Sequence, residues 1–254
     1  MRAFLFSLFV MFSMPLAEVS AMQVNPLVIE MESVGSRSRG NISISNPSNR
    51  PLPVEFEIQR FKVDSNGDVV ILGNGEDDFL IFPPQAIVQP FGRQNVRVQW
   101  LGNPDIAASE HFYIVAKQVP VEVDRTQKVF VQIVFNIRTM VNVKPPIGDP
   151  ALSVSASGIE SDEKGQRRIW ATINNASSVH AALGQSTLRL SALDGSGAVL
   201  WSINPNASQR GSRIGVGLVP AKGSRRYVFP FEIPADVAAR ATAARVEITA
   251  RRPR

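Results

Sequence analysis

Residues 129–150 read VFVQIVFNIRTMVNVKPPIGDP, and this stretch contains the two patterns that decide the fold. From Val129 to Ile137 every odd position is apolar, whereas the even positions are mixed. A two-residue period is typical of a β-strand, because successive side chains point to opposite faces. We therefore predict one long strand over residues 129–143. The prolines that follow it predict a linker, with a hinge at residues 146–150.

The same alternation recurs along most of the chain. Asn66-Gly67 predicts a hairpin across residues 63–70 with a tight primed turn, because both residues readily take positive φ angles. Only residues 235–244 suggest a helix. Further alternating runs predict short strands at residues 41–45, 54–58, 95–100, 112–118, 169–173, 186–190, 199–201, 227–233 and 245–250. With 17 glycines and 18 prolines between them, these runs predict an all-β protein of antiparallel sandwiches.

The hinge divides the chain into residues 22–145 and residues 151–254. Each piece has the size of an immunoglobulin-like domain, which is about 100 residues. We therefore predict two immunoglobulin-like antiparallel β-sandwich domains.

Residues 1–21 have the pattern of a cleavable signal peptide. A basic Met1-Arg2 start precedes an apolar run from Ala3 to Ala17, and small residues end the segment. The run is shorter than the roughly 20 residues that span a bilayer, although an N-terminal anchor is the alternative interpretation. Since no later segment is apolar enough to span, we predict an exported protein that is not membrane-spanning.

The composition argues against an enzyme. The chain has no cysteine, which excludes thiol catalysis and cysteine-ligated metal sites. Its two histidines, His111 and His180, are far apart in sequence, and no G-x-S-x-G motif occurs. We therefore expect no catalytic residues, no cofactor and no metal.

The charge is distributed unevenly. Residues 22–150 carry 12 basic and 14 acidic residues, whereas residues 151–254 carry 14 basic and 7 acidic ones. A basic half can bind nucleic acid, but export argues against that partner. A solvated basic face is the simplest interpretation, and an acidic protein or a membrane surface is the alternative. The terminal residues 251–254 are interpreted as a loose tail.

The apolar strand at residues 129–143 allows two interpretations. It is either a central strand buried between two layers or an edge strand whose apolar face is kept for a partner. Exposed apolar edges normally promote aggregation, so a protein that retains one needs a use for it. That use would be to lend the strand to another sheet.

The chain resembles the periplasmic chaperones of the chaperone–usher pilus pathway, the PapD-like family. The similarity runs through the first predicted domain in order and indicates a divergent branch. The segments that resemble the family are Ile44-Ser45-Asn46 with Pro51, the run from Phe82 to Gln85, residues 89–98, Glu110 with Tyr113 and Val119-Pro120, and the strand that ends at Lys144-Pro145.

This resemblance implies two immunoglobulin-like domains in an L or boomerang arrangement, in the periplasm. It implies that the strand at residues 129–143 fills a groove in an incomplete pilin or fimbrial subunit, which then passes to an outer-membrane usher. A dimer in which the free chain caps its own strand is left open. The implied subunit-binding side chains are Val129, Val131, Ile133, Phe135 and Ile137.

The family also implies a basic anchor for the subunit's C-terminal carboxylate. Counting without gaps places Glu30 and Met140 at the family's arginine and lysine positions, so this chain departs from both. Arg138, on the same strand face as Met140, is the first substitute candidate, and Lys144 beside the hinge is the second.

A second functional class is also open. An exported two-domain sandwich can bind glycan or another surface ligand, and Trp100, Trp170 and Trp201 could stack on sugars. Core packing is the alternative role for these three side chains.

Overall fold

The structure is a computed structural model that describes residues 21–120 and 133–253. The predicted signal peptide lies outside these residues, except for Ala21. Val129 and Val131 of the predicted subunit-binding strand also lie outside them.

The first sandwich is formed by ten strands. They are β1 (Gln23–Asn25), β2 (Val28–Glu32), β3 (Arg39–Ser45), β4 (Leu52–Val63), β5 (Val69–Asn74), β6 (Phe79–Phe82), β7 (Gln85–Val88), β8 (Arg93–Trp100), β9 (Glu110–Gln118) and β10 (Asn136–Lys144). One sheet has the order β1-β3-β8-β6. The other has the order β2-β10-β9-β4-β5, and β7 also pairs with β4.

The core of the first sandwich lies between these sheets. Ile42 and Val98 contribute from one sheet, and Phe112, Ile114 and Val141 contribute from the other, all nearly inaccessible to solvent. Burying each such side chain contributes about 1.5–3 kcal/mol. The alternation seen in the sequence therefore does mark the faces that meet.

The β4–β5 hairpin confirms the prediction for residues 63–70, but the turn type was wrong. Asp64 and Asp68 close the turn through an Asp68 carbonyl that accepts from the Asp64 N–H at 3.0 Å. Gly67 has a φ of +96°, whereas Asn66 does not take a positive φ. Both primed two-residue turns require a positive φ at their first central residue, here Asn66, so a longer loop with glycine in the left-handed region forms instead.

The second sandwich is smaller. Its strands are β11 (Leu152–Ser161), β12 (Arg167–Asn175), β13 (Ala181–Ala182), β14 (Thr187–Leu193), β15 (Val199–Ile203), β16 (Leu218–Val219), β17 (Gly223–Glu232) and β18 (Ala243–Thr249). The sheet β11-β12-β17 faces the sheet β15-β14-β18 across a separate core, and β13 pairs with β16.

Two short helices interrupt the second sandwich. The prediction of a helix over residues 235–244 was wrong beyond its first turn, because α2 covers only Ala235–Ala238 and β18 begins at Ala243. The other helix, α1 (Ala207–Arg213), was missed. Its start carries a capping box, in which Asn206 and Gln209 each accept the other's backbone N–H. Neither helix of the described residues is long and apolar enough to cross a membrane.

The predicted single strand over residues 129–143 is confirmed from Asn136 onward, where β10 begins. Residues 129–132 of this prediction lie outside the described residues. Residues 133–135 are not part of β10, although the Phe135 carbonyl accepts from the Gln118 N–H at 2.9 Å.

The two sandwiches contact each other through a small apolar cluster. Phe61, Val63 and Leu218 are its buried members, and Tyr113 and Met140 pack against them. The Phe61 and Tyr113 rings stack with centroids 4.1 Å apart. At the hairpin, the Ser65 carbonyl accepts from the Arg226 N–H at 2.7 Å.

Asn46 organises the turn between β3 and β4. Its Nδ2 donates to the carbonyls of Arg50 at 2.7 Å and Val88 at 3.0 Å, and its Oδ1 accepts from the Ser48 N–H at 3.1 Å. The side chain is buried, so these groups have little access to water.

We predict that Asn46→Ala lowers the free energy of unfolding by about 3 kcal/mol, because buried carbonyl and amide groups lose their partners. Urea denaturation measures this. The control is Asn49→Ala, an exposed asparagine of the same turn, which should change stability by less than about 0.5 kcal/mol. Equal effects of the two variants would contradict the assigned role.

Candidate functional site

Strand β10 presents different surfaces on its two faces. Val141 and Val143 are fully buried in the first core, on the face that Ile137 shares. On the opposite face, Met140 joins the apolar cluster between the sandwiches, and Lys144 lies in a cleft between them. From Met140 to Lys144 the odd positions therefore belong to the core, and the even positions belong to the contact with the second sandwich.

One edge of β10 is only partly covered. On one side β9 pairs with it from Asn136 to Val143, whereas on the other side β2 pairs in parallel from Met140 to Lys144. The Met140 N–H donates to the Leu27 carbonyl at 2.9 Å, so the backbone of even residues faces the β2 side. Among the described residues, no strand pairs with Asn136 or Arg138 on that side. Within the part of the chain that the structure describes, their backbone groups therefore form an open edge.

The predicted subunit-binding side chains lie beside this edge. Ile133 is 54% exposed, whereas Phe135 and Ile137 are half-buried against the first core. Val129 and Val131 lie outside the described residues. The row of apolar side chains thus leads from the core to an exposed isoleucine.

Arg138 lies on the same face as Met140, as predicted. It is exposed, and its guanidinium lies 5.7 Å from the centroid of the Tyr113 ring. This places a free positive charge next to the apolar cluster between the sandwiches.

Lys144 is in a different environment. Only 2% of the residue is exposed, and its Nζ donates to the Pro253 carbonyl. Burial lowers the pKa of Lys144, and the nearby Glu30 carboxylate opposes that effect. We call its surroundings the interdomain cleft, which has a volume of about 580 Å³ and is lined by Glu30, Glu32, Arg37, Lys144, Arg252 and Pro253.

Glu30 and Met140, the residues at the family's anchor positions, have other roles here. Met140 packs in the apolar cluster. Glu30 extends from β2 into the contact between the sandwiches, where its Oε1 accepts from Asn142 Nδ2 at 2.7 Å and its Oε2 lies 3.1 Å from His180 Nε2. A carboxylate at this position requires nearby donors and cations, which the second sandwich supplies in part.

The two histidines meet in the structure, although sequence analysis treated them as distant. Their ring centroids are 5.2 Å apart and the rings are perpendicular. His180 Nδ1 lies 3.0 Å from the Ser109 Oγ, and both histidines are buried. No sequence signal indicated this pair, because its members belong to different sandwiches. Within residues 21–120 and 133–253, no group of three or more acidic or histidine side chains is arranged to hold a metal ion.

Hydrogen bonding sets which ring nitrogen of His111 carries the hydrogen. Asn142 Nδ2 donates to Glu30, so Asn142 Oδ1 accepts from His111 Nδ1 at 2.8 Å. Burial, followed by the charge of His180, lowers the pKa of His111 to about 3. The ring is therefore neutral when the chain is folded.

The tryptophans do not share a surface. Trp100 is buried and packs edge-on against Phe79, while Trp201 packs against the second core. The Trp170 ring is covered by the Arg226 guanidinium at 4.5 Å.

The low pKa of His111 predicts acid sensitivity. The unfolded histidine titrates near 6.5, so protonation favours unfolding as the pH falls from about 6.5 toward 3. Between pH 7 and pH 4 this costs the folded chain about 3 kcal/mol relative to His111→Asn, which cannot titrate. Urea denaturation of both proteins across this range measures the difference. Parallel stability profiles would contradict it.

The first sandwich matches the model of a known protein family. Residues 21–147 match the model described as "Pili and flagellar-assembly chaperone, PapD N-terminal domain". The match covers the first sandwich, including β10 and the start of the hinge. The comparison with curated protein sequences gave no significant match.

Solved structures share the fold at low sequence identity. A chain in the Salmonella enterica complex of the SafA pilin with the SafB chaperone is 12% identical, with a TM-score of 0.51 over 84% of this chain and 86% of that one. The class 5 fimbriae chaperone CfaA is 9% identical, with a TM-score of 0.52 over 90% of this chain and 98% of that one. Both similarities extend over the two sandwiches, and the all-β two-domain fold predicted from the sequence is confirmed.

Proposed function

Because this chain belongs to the pili and flagellar-assembly chaperones that share the PapD N-terminal domain, we propose that it captures incomplete pilus subunits by donating the edge of β10 as a strand. It is exported through residues 1–21, acts in the periplasm, and delivers each subunit to an outer-membrane usher.

The open edge of β10 is the observation that carries this proposal. No strand in residues 21–120 and 133–253 pairs with Asn136 or Arg138 on the β2 side, so their backbone groups can pair with a strand of a partner, and β2 occupies the same edge further along. Addition of a strand to a sheet edge supplies main-chain hydrogen bonds for affinity, while alternate side chains enter pockets of the partner.

The alternate side chains are those predicted from the sequence. Ile133, Phe135 and Ile137 occupy alternate positions of the donated segment, and in the sequence Val129 and Val131 continue the same alternation. Each side chain that becomes fully buried contributes about 1.5–3 kcal/mol. Three to five of them are therefore sufficient to hold a subunit against dissociation.

The subunit's C-terminal carboxylate would be held by Arg138 or Lys144. Arg138 is exposed and offers a forked donor, which suits a carboxylate. Lys144 lies in the interdomain cleft with two further cations, Arg37 and Arg252, but shares it with Glu30 and Glu32. The partner is of the kind held by the Salmonella enterica chaperone, whose structure was solved with a pilin.

Ile133→Asp should abolish capture, because a carboxylate would have to enter an apolar pocket of the subunit. We expect at least about a tenfold loss of the one-to-one complex that copurifies when subunit genes of the same genome are coexpressed, measured by intact mass. Val199→Asp is the matched control, since Val199 is 49% exposed on β15 of the second sandwich.

Undiminished capture by Ile133→Asp would disprove strand donation through this face. The same masses, recorded without subunit, determine whether the free chain forms a dimer that caps the edge.

The two anchor candidates predict different results. If Arg138 holds the carboxylate, Arg138→Gln should weaken capture about tenfold, and Lys144→Met should act only through stability. If Lys144 holds it, the pattern is reversed. Capture of a subunit extended beyond its natural C-terminus is the reference, because extension removes the carboxylate from either anchor. Capture by both variants equal to that of the wild type would exclude an anchor at these positions.

A further inference from the structure

The segment after β18 is not a loose tail, as the sequence had suggested, because Arg252 and Pro253 enter the interdomain cleft. Pro253 is buried, and its carbonyl accepts from Lys144 Nζ. The segment belongs to the second sandwich, whereas Lys144 ends β10 of the first. The contact between Pro253 and Lys144 therefore connects the two sides of the interdomain cleft.

Arg252 holds the segment in place. Its Nη2 donates to the carbonyls of Pro146 at 2.7 Å and Pro145 at 3.2 Å, and its Nη1 donates to the Gly148 carbonyl. Its Nη2 also lies 3.3 Å from a carboxylate oxygen of Glu32 on β2. One planar guanidinium thus contacts three carbonyls at and beside the hinge and one side chain of the first sandwich. Arginine can do this because its N–H donors are fixed in one plane and point in several directions.

The contact with Lys144 is weaker than the one that a subunit could make. Pro253 offers a neutral amide carbonyl to the Lys144 ammonium, whereas a carboxylate would add the attraction between two opposite charges in a cleft where Lys144 is shielded from water. The cleft also contains Arg37 beside Glu32, at 3.1 Å, which adds positive charge near the same point. An incoming carboxylate can therefore displace the Pro253 carbonyl.

We infer that Arg252 and Pro253 form a latch, which covers Lys144 in the free chain and opens when the carboxylate of a subunit takes the place of the Pro253 carbonyl. The exchange with a subunit depends on the proposed function, but the closure itself does not. Because only chains with an open latch can bind a carboxylate at Lys144, the apparent affinity equals the intrinsic affinity multiplied by the fraction of open chains. Subunits without a free carboxylate would not open it.

Chemical acetylation of lysines tests closure without any subunit. With sulfo-N-hydroxysuccinimide acetate and peptide mass spectrometry, Lys144 in Arg252→Ala should react at least about tenfold faster than in the wild type. Lys62, which is exposed on β4, is the internal reference. Arg251→Ala, at the exposed neighbouring arginine, is the matched control and should leave the rate unchanged.

Arg252→Lys provides a second variant if Arg252→Ala fails to fold, since it keeps the charge and loses the forked donors. Rates of Lys144 that match the wild type, relative to Lys62, in every folded Arg252 variant would overturn the latch.

Competition is tested by subunit capture with the same variants. Arg252→Ala should bind a subunit with a free C-terminal carboxylate about tenfold to a hundredfold more tightly than the wild type, and bind a C-terminally extended subunit equally. Weaker capture would show that Arg252 is a fixed brace of the hinge and would overturn the exchange. If no variant, including the wild type, captures a subunit, the proposed function fails and the acetylation result still decides whether the latch exists.

Discussion

Backbone pairing between β2 and β10 stops at Met140, and much of the structure depends on where it stops. Beyond that residue both edges of β10 are occupied, so its backbone groups are satisfied within the first sandwich. Before it, no strand of the described residues pairs with Asn136 or Arg138 on the β2 side. The length of β2 therefore sets how much of this edge is paired within the first sandwich.

The same strand also joins the two sandwiches, because its second face is covered from Met140 to Lys144. Met140 contributes to an apolar cluster with Leu218 of the second sandwich, and Asn142 links Glu30 to His111. From Met140 to Lys144 both faces of the strand are packed, so a shift of this part would disturb the contact between the sandwiches.

Charges in the interdomain cleft compensate one another. Burial lowers the pKa of Lys144, and the carboxylates of Glu30 and Glu32 oppose that effect in part. Removing any one of these groups leaves the others without compensation, so substitutions here affect stability as well as binding. This is why the experiments on the cleft need exposed control residues and a readout that does not require a subunit.

Local physical chemistry determined most of the fold from the sequence alone. Period-two alternation, the Asn66-Gly67 turn and the prolines after Lys144 act between neighbours in the chain, so they predicted the strands, a hairpin and the division into two sandwiches. The helix over residues 235–244 was overestimated because its composition suits a helix, yet residues from 243 onward pair with β14.

Only the tertiary structure decided the environment of each candidate residue. His111 and His180 come together from different sandwiches, and Arg252 reaches a hinge about a hundred residues earlier in the chain. Contacts of this kind depend on how two complete sandwiches pack, and no short-range pattern encodes that packing. The sequence alone therefore determined that β10 has an apolar face. The pairing of β2, β9 and the second sandwich decided which part of that strand stays open, because a backbone group becomes available only where no other strand has reached it.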